Sequence, residues 1–310
     1  MAPVETIPAA VVTKQFQLFS VDNNTGLGIN DGAEWRYPAW TYMTSLDVVV
    51  PLVTYIVLWY SVNLVVTAHC WTTWQEGIRR KRLINLTTSL IHSTVSSVLL
   101  LVFFFRNTRL MFESPLHFYD YLNSQVILLS VGYFIYDGFD MVINDKISIV
   151  TGVLLVHHTA SIFVFSAAIA SKKFLLYAFW ALLMEVNSIF LHARSILHQS
   201  KLSTTSCIAL TNIVRYCNLG TFVIFRFGVQ FWLTGWAWVN RNNMHIFYMY
   251  IAFGGGCLFL LINLGIFLRI LHSDGFLLSS VVQREKLDSL LEDNDFDVDV
   301  QTREKKELLM

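Results

Sequence analysis

"GVLLVHHTASIFVFSAAIA" (Gly152–Ala170) is apolar along almost its whole length, yet two adjacent histidines, His157 and His158, stand near its middle. The run contains no acid, lysine or arginine, and it matches the roughly 20 residues a helix needs to cross a bilayer core. Six other runs read the same way, giving spans at about 46–69, 86–105, 121–143, 148–170, 174–197, 208–233 and 246–271. In lipid each backbone polar group must be satisfied within the chain. The spans therefore predict an all-α membrane protein with about seven transmembrane helices. Composition agrees: 55% of the 310 residues are hydrophobic and 14% are charged, against about 25% charged in an ordinary soluble domain.

Connections between the spans are short, so the helices are expected to form one bundle. There is no internal repeat and no nucleotide-binding glycine loop. "FGGGC" (Phe253–Cys257) lies inside the last span, where small residues let helices approach closely. The formal net charge is zero, which gives no electrostatic footprint for a nucleic acid partner. Cys70, Cys207, Cys217 and Cys257 lie in or beside apolar runs, so no disulfide framework is visible. Cys70 abuts a basic run and is either a palmitoylation site or an inert thiol.

The first 45 residues are mixed and polar, with no short apolar core of a cleavable signal. The first long span is expected to serve as the insertion signal. "RRKR" (Arg79–Arg82), read as a loop after that span, places this side in the cytoplasm. The N-terminal segment 1–45 is then outside or lumenal, and an odd number of spans leaves the tail inside. Asn23 begins a glycosylation sequon on the outer side, and Arg269, His272 and Arg284 fall inside. Lys172 and Lys173 fit this orientation poorly. The tail 278–310 is acidic and reads as disordered. Its Glu304, Leu308 and Leu309 have the spacing of an acidic dileucine signal, or are simply solvated.

A charge at the centre of a membrane helix costs roughly 2.5–3.5 kcal/mol on insertion scales, so each one here needs a partner or a role. Span three carries Tyr133, Asp137, Asp140 and Asn144 at steps of four, three and four, one stripe on a helix. Span five carries Glu185, Ser188, His192 and Ser195, with Arg194 toward its end. Span six carries Asn212, Arg215 and Arg226, and span two carries Asn85, Ser89, His92 and Ser96. Inward-facing stripes would enclose a shared polar interior. In one reading Asp137, Asp140 and Glu185 only neutralise Arg215 and Arg226. In the other, His157 or His158 is a general base or acyl-accepting nucleophile, with Asp137 or Asp140 fixing its tautomer. Tyr133, Glu185, Ser188, His192 and Arg215 would then face the substrate. Tandem histidines lack the i, i+4 spacing with which one helix presents two metal ligands, so no metal is expected.

"VGYFIYDGFDMV", "VLLVHHTAS", "LLMEVNSIFLHARSIL", "RYCNLGTFVIFRF" and "LRILHSDGF", in that order, resemble successive blocks of the TLC domain. That family includes ceramide synthases, translocating-chain-associated membrane proteins and small regulators of membrane fluidity, and the likeness is nearest to the last group. It covers about residues 78–277, leaving 46–77 as an added first helix and loop. It implies a barrel-like bundle of six helices behind that helix. In ceramide synthases the paired histidines belong to the acyl-transfer site, which would be His157 and His158 here. The further ceramide synthase motif is His-Asp, then Asp, Glu and Lys. Here Met184–Glu185, Ser188 and His192 stand at its positions, which argues against a ceramide-synthase-like N-acyltransferase.

The resemblance to the fluidity regulators implies control of phospholipid fatty-acyl composition, limiting polyunsaturated chains, at the plasma membrane. The endoplasmic reticulum is the alternative location. The implied partners are membrane lipids, phospholipid acyl chains and lipid-remodelling enzymes. No bound cofactor is expected; acyl-CoA would be a donor substrate if the protein is a phospholipid acyltransferase. A transporter or channel component is the other class, because buried charges also mark ion pathways. The orientation predicts that glycosidase treatment shifts the wild-type protein and not Asn23→Gln. A tail tag accessible from outside intact cells would overturn it.

Overall fold

Helical propensity and hydropathy place every element. The computed structural model describes residues 18, 19, 22, 31–74, 77–144, 148–200 and 208–276. Asn23, Cys207, Arg284, the acidic tail and its dileucine lie outside these. The described residues form α1 (Leu46–His69), α2 (Ile78–Arg106), α3 (Thr108–Glu113), α4 (Tyr121–Asn144), α5 (Ile149–Ser171), α6 (Leu175–Leu182), α7 (Glu185–Gln199), α8 (Ile208–Phe222), α9 (Val229–Val239) and α10 (Ile246–Ser273). Six residues between α8 and α9, Val223–Gly228, are wound as a π-helix. Seven of the resulting spans are long and apolar enough to cross a membrane: α1, α2, α4, α5, the α6–α7 pair, the α8–α9 pair and α10. There is no strand among the described residues.

Two elements differ from the sequence reading. The basic run is not a loop: Arg79–Arg82 form the first turns of α2, which starts at Ile78 rather than near residue 86. Arginine and lysine are good helix formers and reach the interface with long side chains. Arg80 also has a task there. Its Nε donates to Trp71 O at 3.1 Å and its Nη2 to Thr67 O at 3.1 Å, so a cation meets the carbonyl end of α1. Span five is interrupted at Leu183–Met184, where a tight turn joins α6 to α7.

Within the unit Met1–Cys257, α1 packs on α4 and α2, α2 also contacts α7, and α5 lies against α4 and α6. The α1–α4 seam is close because of Gly132. A Cβ there would lie 2.8 Å from Tyr55 Cβ and 3.3 Å from Ile56 N. Trp59 Nε1 donates to Leu129 O across the same seam at 3.0 Å. Of the three glycines in "FGGGC", Gly256 makes the close approach, 3.2 Å from a Cβ to Gln230 Nε2, whereas Gly254 and Gly255 face open space. Aromatic rings fill the core around α3, α6 and α9, with Trp180 stacked on Trp232 at 4.1 Å. In the second unit, Leu258–Met310, α10 ends in a Schellman turn. Gly275 has φ 76°, Phe276 N donates to Leu271 O at 3.0 Å, and Gly275 N donates to His272 O at 3.3 Å.

The two lysines that fitted the orientation poorly have partners. Lys173 is 0% exposed, with Nζ 3.1 Å from Asp31 Oδ1 and 3.3 Å from Glu34 Oε2. Lys172 Nζ lies 4.1 Å above the Tyr42 ring. The segment before α1 therefore supplies the counter-charges. Partial burial pushes the Asp31 carboxyl up, but the Ala33 N–H and Lys173 outweigh it and hold it below the ordinary value of 3.8. A depressed carboxyl stabilises the fold above that value and stops doing so as the pH falls through its folded pKa. Thermal midpoints of purified protein should therefore drop on acidification below pH 3.8, and less so in Asp31→Asn. Lys173→Ala strands the buried Glu34 carboxylate and should cost roughly 3–5 kcal/mol at neutral pH. Gly132→Ala should lower stability by about 1–3 kcal/mol by forcing α1 off α4, read as reduced yield and midpoint.

Candidate functional site

The histidine pair sits nine and ten positions along α5, about 13 Å from its start at 1.5 Å per residue. Neighbouring residues on a helix point about 100° apart, and the two rings are 5.7 Å apart at 62°. His158 turns toward α4. Its Nδ1 lies 3.6 Å from Asp137 Oδ2, with the imidazole side chain 12% exposed, and Phe134 stacks on it at 5.2 Å. At that distance the two groups are close but not hydrogen-bonded, and catalytic pairs without substrate are often longer than in the working complex. His157 and Arg226 interact electrostatically. Val156 and Thr159 flank the pair and are exposed, so the imidazoles lie one residue from the lipid-facing surface.

Asp137 is buried, and α2 reaches it through Asn85. The Asn85 amide donates to Asp137 Oδ1 at 2.8 Å and to Asp140 Oδ2 at 3.0 Å. Asn144 Nδ2 donates to Asp140 Oδ1 at 2.9 Å. The stripe on α4 thus faces α2, and one amide bridges its two carboxylates. Asp137 is the carboxylate at His158; Asp140 is one turn closer to the membrane face. Tyr133, the upper member of the stripe, stacks on His92 at 3.8 Å and bonds Ser89.

Deeper in the bundle Glu185 is the common acceptor. Ser93 Oγ donates to its Oε2, His92 Nδ1 is 3.8 Å from the same oxygen, and Ser188 bonds it too. The arginine that interacts electrostatically with Glu185 is Arg226. Arg226 is 5% exposed; its Nε donates to Asn187 Oδ1 at 2.7 Å and its Nη2 to Ser188 Oγ at 3.0 Å. Asn187 Nδ2 is held in turn by Asn218 O, Asn218 Oδ1 and Thr221 Oγ1 at 3.0–3.1 Å. His192 interacts with Arg226 and His158, which ties the two groups together.

Arg215 and Arg226 sit in different settings. The π-helical turns carry Arg226 in a wider winding, and it is buried. Arg215 is half-buried on α8, with Nη1 3.5 Å from Asn212 Oδ1. Asn187, Asn218 and Ser93 escaped the sequence reading. They are small neutral groups: Asn187 and Asn218 sit within a turn of Glu185 and Arg215, and Ser93 has no acid, lysine or arginine within a turn. Among the described residues no three His, Cys, Asp or Glu side chains converge as metal ligands. What the residues present do offer is an imidazole close to a carboxylate, a second buried carboxylate, and hydroxyl and amide donors around an arginine.

A family model, the TLC domain, matches residues 82–272. The chain is 33% identical over 190 residues to TLC domain-containing protein 2 of Danio rerio, covering 61% of this chain and 75% of that protein. It is 31% identical over 200 residues to TLC domain-containing protein 1 of Gallus gallus, covering 62% and 73%. To the Homo sapiens TLC domain-containing protein 2 it is 28% identical over 171 residues, covering 55% and 62%. No solved structure matches the chain. The matched segment runs from the basic turn of α2 through the histidine pair to the end of α10, and this chain belongs to the TLC domain family.

Proposed function

We propose that the protein sets the fatty-acyl composition of membrane phospholipids, and so membrane fluidity, by acyl transfer at the histidine pair. The observation that carries this reading is the His158–Asp137 contact at 3.6 Å, held inside an apolar span beside a lipid-facing surface. With Nδ1 turned to Asp137, His158 Nε2 is the nitrogen left for chemistry. An acyl chain entering sideways keeps its tail among the spans and brings its thioester carbonyl to that nitrogen. As a nucleophile, Nε2 adds to the carbonyl and the thiolate leaves. A lysophospholipid hydroxyl then attacks the acyl-imidazole, forming the ester, restoring Nε2 and passing its proton to the thiolate. As a general base, Nε2 instead takes the hydroxyl proton while the oxygen attacks the thioester directly; the thiolate leaves and takes that proton from Nε2. Excluding polyunsaturated donors would limit their incorporation, in the plasma membrane or the endoplasmic reticulum.

The Glu185–Arg226 group plays the supporting part: it aligns α2, α7 and the π-helical turns around the histidines. Buried charges also suit a transporter component, and acyl profiles tell the two apart. In cells lacking the protein, wild type should restore phospholipid acyl composition, and the His157→Ala/His158→Ala double variant should not, at equal abundance. Restoration by that variant would leave the histidines structural. Incubated with labelled acyl-CoA, the purified protein should gain an acyl mass on His157 or His158 if the nucleophilic route operates. Asparagine in place of the acylated histidine keeps a hydrogen bond but abolishes that mass. Arg226→Leu should instead deplete the protein, since an unpaired buried Glu185 costs roughly 3–5 kcal/mol; normal abundance would show that this network does not support the fold.

A further inference from the structure

A second polar space opens at the membrane face that carries the basic turn, separated from Asp137 by the Asn85 amide. It is a cavity of about 280 Å³ where the end of α1, the start of α2 and the end of α4 meet. A single water needs only roughly 10–15 Å³ by the same measure. Asn63, Arg80, Lys81, Asn85, Asp140 and Asn144 line it, with Gly77 and Thr67 at the helix ends. Its charges are deliberately apart. Lys81 Nζ donates to Asn144 Oδ1 at 3.4 Å, and Asn144 Nδ2 donates to Asp140 Oδ1 at 2.9 Å. One amide thus stands between a cation and an anion across an open space. The positive end of the α2 dipole adds to the cationic side.

This pattern selects its occupant. A plain anion would meet Asp140, and a plain cation would meet Lys81 and Arg80. A molecule carrying both charges a few bonds apart satisfies both walls. Trp71 and Trp74 pack edge to face nearby, 6.3 Å between ring centroids, and tryptophans at helix ends mark headgroup depth. We propose that this cavity binds a zwitterionic phospholipid headgroup, a phosphodiester bearing a cationic amine. The phosphate meets Lys81 and the first turn of α2, and the amine meets Asp140. The site needs no acyl chemistry, and its occupancy should be untouched in the His157→Ala/His158→Ala variant, so either reading can fail without the other.

Native mass spectrometry of the full chain in detergent, titrated with short-chain lipids, tests it. Phosphatidylcholine and phosphatidylethanolamine should bind about tenfold more tightly than phosphatidylglycerol, the ratio set by one charge-assisted contact. Lys81→Gln should weaken both by about tenfold, and Asp140→Asn should erase the preference for zwitterions. Thr67→Phe, which fills the cavity without removing a charge, should abolish binding. Arg79→Gln, an exposed residue outside the cavity, should change nothing, and each variant should elute as wild type does. Equal or tighter binding of phosphatidylglycerol, or no loss in Lys81→Gln, overturns the proposal. Soluble glycerophosphocholine binding as tightly as the lipids would make the ligand a free metabolite and overturn it as well.

Discussion

Arg226 has to be neutralised where there is no water to do it, and the interior of the bundle is organised around that requirement. A guanidinium cannot shed its charge, so its donors must find fixed acceptors. Asn187 and Ser188 accept from it directly, and Glu185 supplies the opposing charge. Both accepting residues follow Glu185 on α7, so one turn of one helix supplies these acceptors and the opposing charge. Asn187 could not accept unless its own amide were held, which Asn218 and Thr221 do from α8. The π-helical turns deliver the guanidinium to this place.

The same helix, α2, serves both polar levels. Ser93 and His92 meet Glu185 deep in the bundle, and Asn85, two turns earlier, meets Asp137 and Asp140. Moving α2 along its axis would break contacts at both levels together. The His158–Asp137 contact therefore inherits its geometry from a network in which neither histidine need take part. A packed interior of this kind transmits position rather than motion.

Much of this was legible in the sequence, and for physical reasons. Hydropathy gave the seven spans because lipid tolerates few alternatives to a helix. The stripe Tyr133–Asp137–Asp140–Asn144 held because the helix period is rigid, and all four side chains face α2 or its cavity. The exceptions share a cause: they depend on groups that carry no local signal. The π-helix breaks periodicity without proline or glycine at its centre, so nothing in the sequence marks it. The basic turn read as a loop because its charges outweighed its helical propensity, although Arg80 is what closes the end of α1. Lys173 looked misplaced because its partners, Asp31 and Glu34, lie about 140 residues earlier in the chain.

The seam between α1 and α4 bears on biosynthesis. Tyr55 pairs with Gln125, and Trp59 with Leu129, each across a separation of 70 residues. At the 5–20 residues per second of translation, α1 waits roughly 4–14 s in the membrane before its main neighbour exists. In that interval the indole N–H of Trp59 lacks its carbonyl on α4. The helix that emerges next is α2, and Asn63 already reaches Thr88 on it at 3.4 Å. The α1–α2 hairpin is thus the first assembly the ribosome can deliver. Gly132, made later on α4, admits that helix to a surface α1 already presents.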